Sequence, residues 1–270
     1  MSAWSEAARA RGESIALVPT MGALHAGHLS LLAEGRRCAQ KLVLSIFVNP
    51  MQFGPHEDLA KYPRDLPGDL AKAASVGCDM AFVPEAASVY GRGFQTAIDV
   101  REVSQGLCGA RRPGHFAGVA TVVCKFFNIV RPHSALFGEK DFQQLAVIRR
   151  MVTDLNLPVE VVGLPTVREP DGLAMSSRNV YLSPSDRQRA KALHAGLSAA
   201  KALVEKGELR ASVLLDAAMA EIAARVDRID YLEVRAADDL KPLDLIDRPA
   251  VMLVAAFVGG TRLIDNLRLG

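Results

Sequence analysis

The chain has 270 residues, half of them hydrophobic and 23% charged, with 32 Lys and Arg against 30 Asp and Glu. This is the balance of an ordinary soluble globular protein, long enough for one large domain and a smaller one. A formal net charge of +2 supplies no global field for nucleic acid or a membrane surface, so any anion site depends on local placement of basic groups.

In chain order, the N-terminal stretch MSAWSEAARARGES lacks the apolar segment and cleavage signature of an export signal. Ile15–Val18 reads as a short strand. Ala26–Ala39 reads as a helix, with Leu29, Leu31, Leu32 and Cys38 at helical spacing. Leu42–Val48 is a second strand, continuously apolar. Asp69–Val76 reads as a helix, Met80–Val83 as a strand, Val119–Val130 as a helix and Ala135–Phe137 as a strand. Phe142–Leu155 is helical, and Val159–Val162 closes the series. Strands apolar on both faces, alternating with helices, predict a parallel sheet covered on both sides. The expected class is a Rossmann-like, doubly wound α/β sheet with ligands at the C-terminal ends of its strands.

The pattern changes after about Pro165. Ser183 and Pro184 make a helix start, with Ser as cap and Pro in the first position. Two Ala-rich helices follow, split near Gly207. Tyr231–Val234, Val251–Val258 and Arg262–Leu267 read as strands, the last two joined by a tight turn at Gly259-Gly260. The predicted organisation is a nucleotide-binding domain over residues 1–163 and a smaller α+β domain over 164–270. The longest apolar run, AVMLVAAFVGG, falls short of the roughly 18 residues that span a bilayer. Cys38, Cys78, Cys108 and Cys124 form no C-x-x-C, and no His stands at zinc spacing. The expectation is a reduced, cytoplasmic protein without disulfides or a cysteine metal site.

Four stretches carry chemistry. Pro19–His28 runs from a strand end into a helix start, where unpaired N–H groups and a positive partial charge seat phosphate. Within it, His25, Gly27 and His28 form H-x-G-H. Neither G-x-G-x-x-G nor the Walker pattern is present. Phe47–Gly54 follows the second strand and offers Asn49 and Gln52, neutral amides suited to a hydroxy acid. Leu136–Gln144 again crosses from strand to helix, with Gln144 one turn beyond Lys140 on the same face. Met175–Asn179 supplies Ser176, Ser177 and Arg178, two hydroxyls and a guanidinium that can clamp phosphate. Taken singly, each also fits a blander reading: a polar helix cap, a polar loop, a charged helix start or a capping cluster. Three of them end strands of one sheet and so converge in space.

H-x-G-H followed far downstream by M-S-S-R-N resembles the HIGH and KMSKS pair of the nucleotidyltransferase superfamily. PTMGALHAGH, SIFVNPMQFG, YPRDLPGD, RRPGHFAGVATVV, FGEKDFQQL and DGLAMSSRNVYL narrow the resemblance to the pantothenate synthetase family, from about Ile15 to the C-terminal hairpin. The resemblance implies an ATP-dependent ligase that joins pantoate to β-alanine through a pantoyl adenylate, releasing pyrophosphate and AMP. It implies that Pro19, Met21, His25, Gly27 and His28 hold ATP together with Gly138, Lys140, Asp141, Met175, Ser176, Ser177 and Arg178. His25, His28, Lys140 and Arg178 would carry the catalysis. Asn49, Gln52 and Gln144 would bind pantoate, and Asp69 would help hold Mg²⁺. The family also implies a homodimer.

Two departures stand out. The chain begins later than many relatives, which would trim a peripheral strand or helix. Gly68-Asp69 replaces a pair of adjacent acids, leaving Asp69 alone in any metal role. Another adenylyl- or cytidylyltransferase, or a nucleotide-binding protein without turnover, are the competing readings. An RNA-binding role is disfavoured by 6% aromatic content and near-neutral charge.

Overall fold

The computed structural model describes residues 1–55 and 57–269. β1 (Ile15–Thr20), β2 (Lys41–Ile46), β3 (Met80–Phe82), β4 (Ser134–Gly138) and β5 (Glu160–Leu164) form a parallel sheet in the order β3-β2-β1-β4-β5. The chain leaves β1 toward β2 on one side and returns to β4 on the other. A crevice therefore opens at the C-terminal ends of β1 and β4, the usual ligand position in such sheets.

The strands are apolar because both faces are covered. On β1, Ile15 and Leu17 face the core shared with α1 (Ser2–Ala10), α6 (His115–Val130) and α7 (Phe142–Asp154). Ala16 and Val18, one residue out of phase, face α2 (Ala26–Cys38) and α3 (Leu66–Ser75). This is the two-residue alternation of a strand. Between β3 and α6 lie two short helices, α4 (Ala86–Val89) and α5 (Leu107–Arg111). α1, α4 and α5 were not expected from the sequence, being too short to show a clear period. α3 starts at Leu66 rather than Asp69, because Asp65 caps it by accepting from Gly68 N at 3.1 Å and Pro67 falls in its first turn. α6 starts at His115, four residues before the expected Val119.

Among the described residues the second half has three α-helices rather than two: α8 (Pro184–Ala190), α9 (Ala192–Val204) and α10 (Ala211–Ile222). Ser183 caps α8 by accepting from Asp186 N at 3.1 Å. The helices pack on an antiparallel sheet of β6 (Arg228–Ala236), β7 (Ala250–Val258) and β8 (Thr261–Leu269), with Gly259-Gly260 joining β7 to β8. β7 is apolar throughout for the same reason as β1. Met252, Val254 and Ala256 face α9 and α10, whereas Val251 and Leu253 enter the core of the parallel sheet. β5 ends at Leu164, beside the expected boundary, yet the two halves share that buried face of β7. No helix among the described residues is long and apolar enough to cross a membrane.

Candidate active site

The C-terminal ends of β1, β2 and β4 meet the Met175–Arg178 segment around a cavity of about 200 Å³. Every side chain that the sequence assigns to ATP or pantoate lines it: His25 and His28, Gln52 with Asn49, Lys140 with Gln144, and Ser176 to Arg178 among them. Asp69 is not part of that lining.

The H-x-G-H spacing has a local geometric cause. His25 is the N-cap of α2, and its Nδ1 accepts from Gly27 N at 3.2 Å. His28 folds back in turn, its Nδ1 accepting from His25 N at 3.3 Å. A Cβ on Gly27 would lie 2.9 Å from the His25 ring, so glycine is required. Because both Nδ1 atoms accept, each neutral imidazole carries its proton on Nε2 and can donate from there. The rings stack with centroids 4.0 Å apart. Burial, then the nearby Lys140, holds the pKa of His25 down at about 4. Burial and the His25 ring hold that of His28 at about 3. The fixed positive charge of the cleft therefore comes from Lys140 and Arg178.

The low values make a pH prediction. A third histidine, the buried His115, is also pushed down to about 4, chiefly by burial. Between about pH 4 and the ordinary 6.5 the unfolded chain binds more protons at these sites than the folded one. Stability from these groups is fully present above 6.5 and is lost as pH falls through about 4. In an NMR titration the three rings should show no protonation step between about pH 5 and 8. A step near 6.5 for His25 or His28 would contradict the half-buried, neutral pair.

Gln52 follows β2 in a short turn, Pro50–Gln52, which lies against α6. A Cβ on Gly118 would sit 2.3 Å from Met51 O, so glycine lets the turn approach the helix. Asn49 donates to Gln52 Oε1 at 3.0 Å and to Gly118 O at 3.1 Å. Its Oδ1 accepts from Tyr90 OH at 2.7 Å and from Met51 N at 3.3 Å. All four hydrogen-bonding sites of the Asn49 amide are thus in use. Asn49 lines the cleft and holds the Gln52 amide, with no unused hydrogen-bonding site of its own. Gln144, in the first turn of α7, has no protein partner for its amide among the described residues.

Lys140 sits in the Glu139–Asp141 turn after β4, its ammonium 3.8 Å from the Asp141 carboxylate. Asn266 of β8 fixes this turn from the other sheet, donating at 2.9 Å to both Glu139 O and Lys140 O. Ser177 Oγ donates to Ala23 O at 3.1 Å, joining the M-S-S-R-N segment to the histidine loop. Arg178 makes two 2.8 Å hydrogen bonds to Asp58 and lies over the Tyr62 ring.

Some lining residues escaped the sequence reading. Val119, Val122, Val123 and Phe126 of α6, with Phe47, form an apolar wall. Their only signal was the apolar period of α6, which also describes ordinary core. Tyr62 of the lining, and Asp58 and Tyr90, which bond the lining residues Arg178 and Asn49, lie in irregular segments without a period to betray them.

The pantoate-beta-alanine ligase family model matches residues 1–268. A relative from Myxococcus xanthus named pantothenate synthetase is 57% identical over 270 residues, covering 99% of this chain and 92% of its own. The crystal structure of pantothenate synthetase from Thermus thermophilus superposes with a TM-score of 0.93 at 47% identity, covering 97% of this chain and 96% of that one. Pantoate-beta-alanine ligase from Francisella tularensis, complexed with beta-gamma ATP and beta-alanine, superposes with a TM-score of 0.79 at 30% identity, covering 98% and 94%.

Proposed function

The chain belongs to the pantoate-beta-alanine ligase family, and from that premise we propose that it joins its two substrates through a pantoyl adenylate. In the first step a pantoate carboxylate oxygen attacks the α-phosphorus of ATP. The bond between the α-phosphorus and the bridging oxygen breaks, and pyrophosphate leaves. In the second, the β-alanine amine attacks the acyl carbon, loses a proton, and AMP leaves with the electron pair of the acyl–oxygen bond.

The observation that carries this reading is the mixed character of one cleft. Two neutral histidines and two cations face it together with two amides and an apolar wall. His25 and His28 present Nε2 donors for phosphate oxygens, and being neutral they neither give up nor take a proton near pH 7. Lys140 and Arg178 meet the negative charge that grows on the phosphates during attack. Fixed donors aimed at developing charge are a major source of catalysis in a site closed to water. Gln52 and Gln144 suit the hydroxyl and carboxylate groups of pantoate, and the wall from α6 suits its two methyl groups. Holding the carboxylate in line with the α-phosphorus supplies the rest. No covalent enzyme intermediate is required.

Mg²⁺ is the natural companion of ATP and would offset triphosphate charge. Among the described residues there is no group of three or more His, Cys, Asp or Glu able to hold a metal ion. Asp69 lies outside the cleft lining. Among the described residues there is thus no ready-made cage, and the ion would enter on the nucleotide.

The test is isotope exchange. With pantoate and Mg²⁺ but no β-alanine, the protein should move labelled pyrophosphate into ATP, and adding β-alanine should yield AMP. Formation of ADP and phosphate instead would mean an acyl phosphate and remove the adenylate from the mechanism.

A further inference from the structure

Asp69 is buried, with 1% of its surface exposed. Its two oxygens accept from the backbone of the histidine loop, Oδ2 from Ala23 N at 2.8 Å and Oδ1 from Leu24 N at 2.6 Å. One turn later on α3, Lys72 Nζ donates to Leu24 O at 2.9 Å. α3 thus grips Leu24 by its N–H and its carbonyl. The gripped stretch is conformationally unfavourable by itself. Gly22 has φ of +89°, and Ala23, which carries a side chain, has φ of +51°. Left-handed backbone at a non-glycine residue persists where its surroundings impose it. A Cβ on Gly22 would lie 3.0 Å from Asp69 Oδ2, so the glycine also admits the carboxylate. Two residues beyond Ala23 comes His25, the cap of α2.

This arrangement does not fit a metal ligand. Mg²⁺ demands near-octahedral oxygen donors at close range and keeps several waters. Each Asp69 oxygen already accepts from a backbone amide, and an ammonium is fixed on the carbonyl of the same residue, Leu24. We infer that Asp69 is a positioning residue. With Lys72 it holds the Gly22–Leu24 turn so that His25 and His28 keep their Nε2 donors toward the nucleotide, and it binds no cation.

The inference rests on the nucleotide role proposed for the two histidines, and the two can fail separately. In Asp69→Asn one acceptor becomes a donor facing an amide. The expected result is a rise of about tenfold or more in KM for ATP, with KM for pantoate and half-saturating Mg²⁺ each within about twofold of wild type. Hydrogen exchange at the Ala23 and Leu24 amides should accelerate at least about tenfold. Mn²⁺ added without nucleotide should leave those amide signals of the wild-type protein sharp. Selective broadening by Mn²⁺, or a tenfold higher Mg²⁺ requirement with normal ATP use at saturating Mg²⁺, would overturn the inference and make Asp69 a ligand. So would unchanged exchange and kinetics. Lys72→Met provides a second route should Asp69→Asn unfold. It should raise KM for ATP without altering the Mg²⁺ requirement, and tighter Mg²⁺ binding would again indicate a metal site. If instead His28→Ala leaves ATP use intact, the nucleotide reading fails while the amide-exchange result still stands.

Discussion

Lys140→Ala should lower turnover by about 10²- to 10³-fold, roughly 3–4 kcal/mol of transition-state stabilisation, the scale for removing one preorganised donor. The size follows from where the charge sits. The Lys140 side chain is 19% exposed, and its nearest carboxylate, Asp141, stands at 3.8 Å, beyond hydrogen-bonding reach. The ammonium is therefore held in the cleft in only a loose ion pair with Asp141, and an incoming phosphate is its better match. The backbone that presents it does not depend on the side chain. Asn266 holds Glu139 O and Lys140 O, and Arg268 pairs with Glu139 at 2.7 Å. The variant should accordingly fold, with a melting temperature close to wild type, and lose rate rather than structure. Steady-state kinetics beside a thermal melt would check it. Turnover near the wild-type value would show that another group meets the phosphate charge.

The parallel sheet was legible because its strands are apolar runs of the right length and their helices carry a clear period. The site was legible because chemistry-bearing residues stand at strand ends, and a doubly wound sheet gathers those ends together. What escaped is what depends on contacts between segments distant in sequence. The resemblance assigns Asp69 a share in Mg²⁺, and local pattern says nothing of its contacts. Its burial against Ala23 and Leu24, 46 and 45 residues away, leaves no trace in local pattern. Asn49 and Gln52 look alike as amides in a turn. Only Tyr90 and Gly118 decide that one of them supports the other. The extent of the second unit was blurred for a related reason. β7 reads as one apolar run, and the sequence does not say that its two faces serve different cores.

Arg178 carries the last and most structural expectation. Its guanidinium is not idle. Nε and Nη2 each donate to Asp58 at 2.8 Å, and the group lies 5.4 Å over the Tyr62 ring. Burial pushes the Asp58 carboxyl up, but the Arg178 hydrogen bonds outweigh it and hold the pKa below the ordinary value. Asp58 is therefore charged near pH 7 and competes with phosphate for the same fork. Arginine can grip carboxylate or phosphate with two parallel bonds, not both through the same edge. Arg178→Ala should cost about 10²- to 10³-fold in kcat/KM, as for Lys140. Asp58→Ala should act in the opposite direction on ATP, lowering its KM by about 3- to 10-fold, because a half-buried ion pair worth on the order of 1 kcal/mol no longer has to be broken. The two effects run through one contact, so they should not add. In an Arg178→Ala background, Asp58→Ala should change KM for ATP by less than about twofold. If Asp58→Ala weakened ATP binding equally in both backgrounds, the carboxylate would have a task of its own at the nucleotide. Competition for Arg178 would then be the wrong account of the pair.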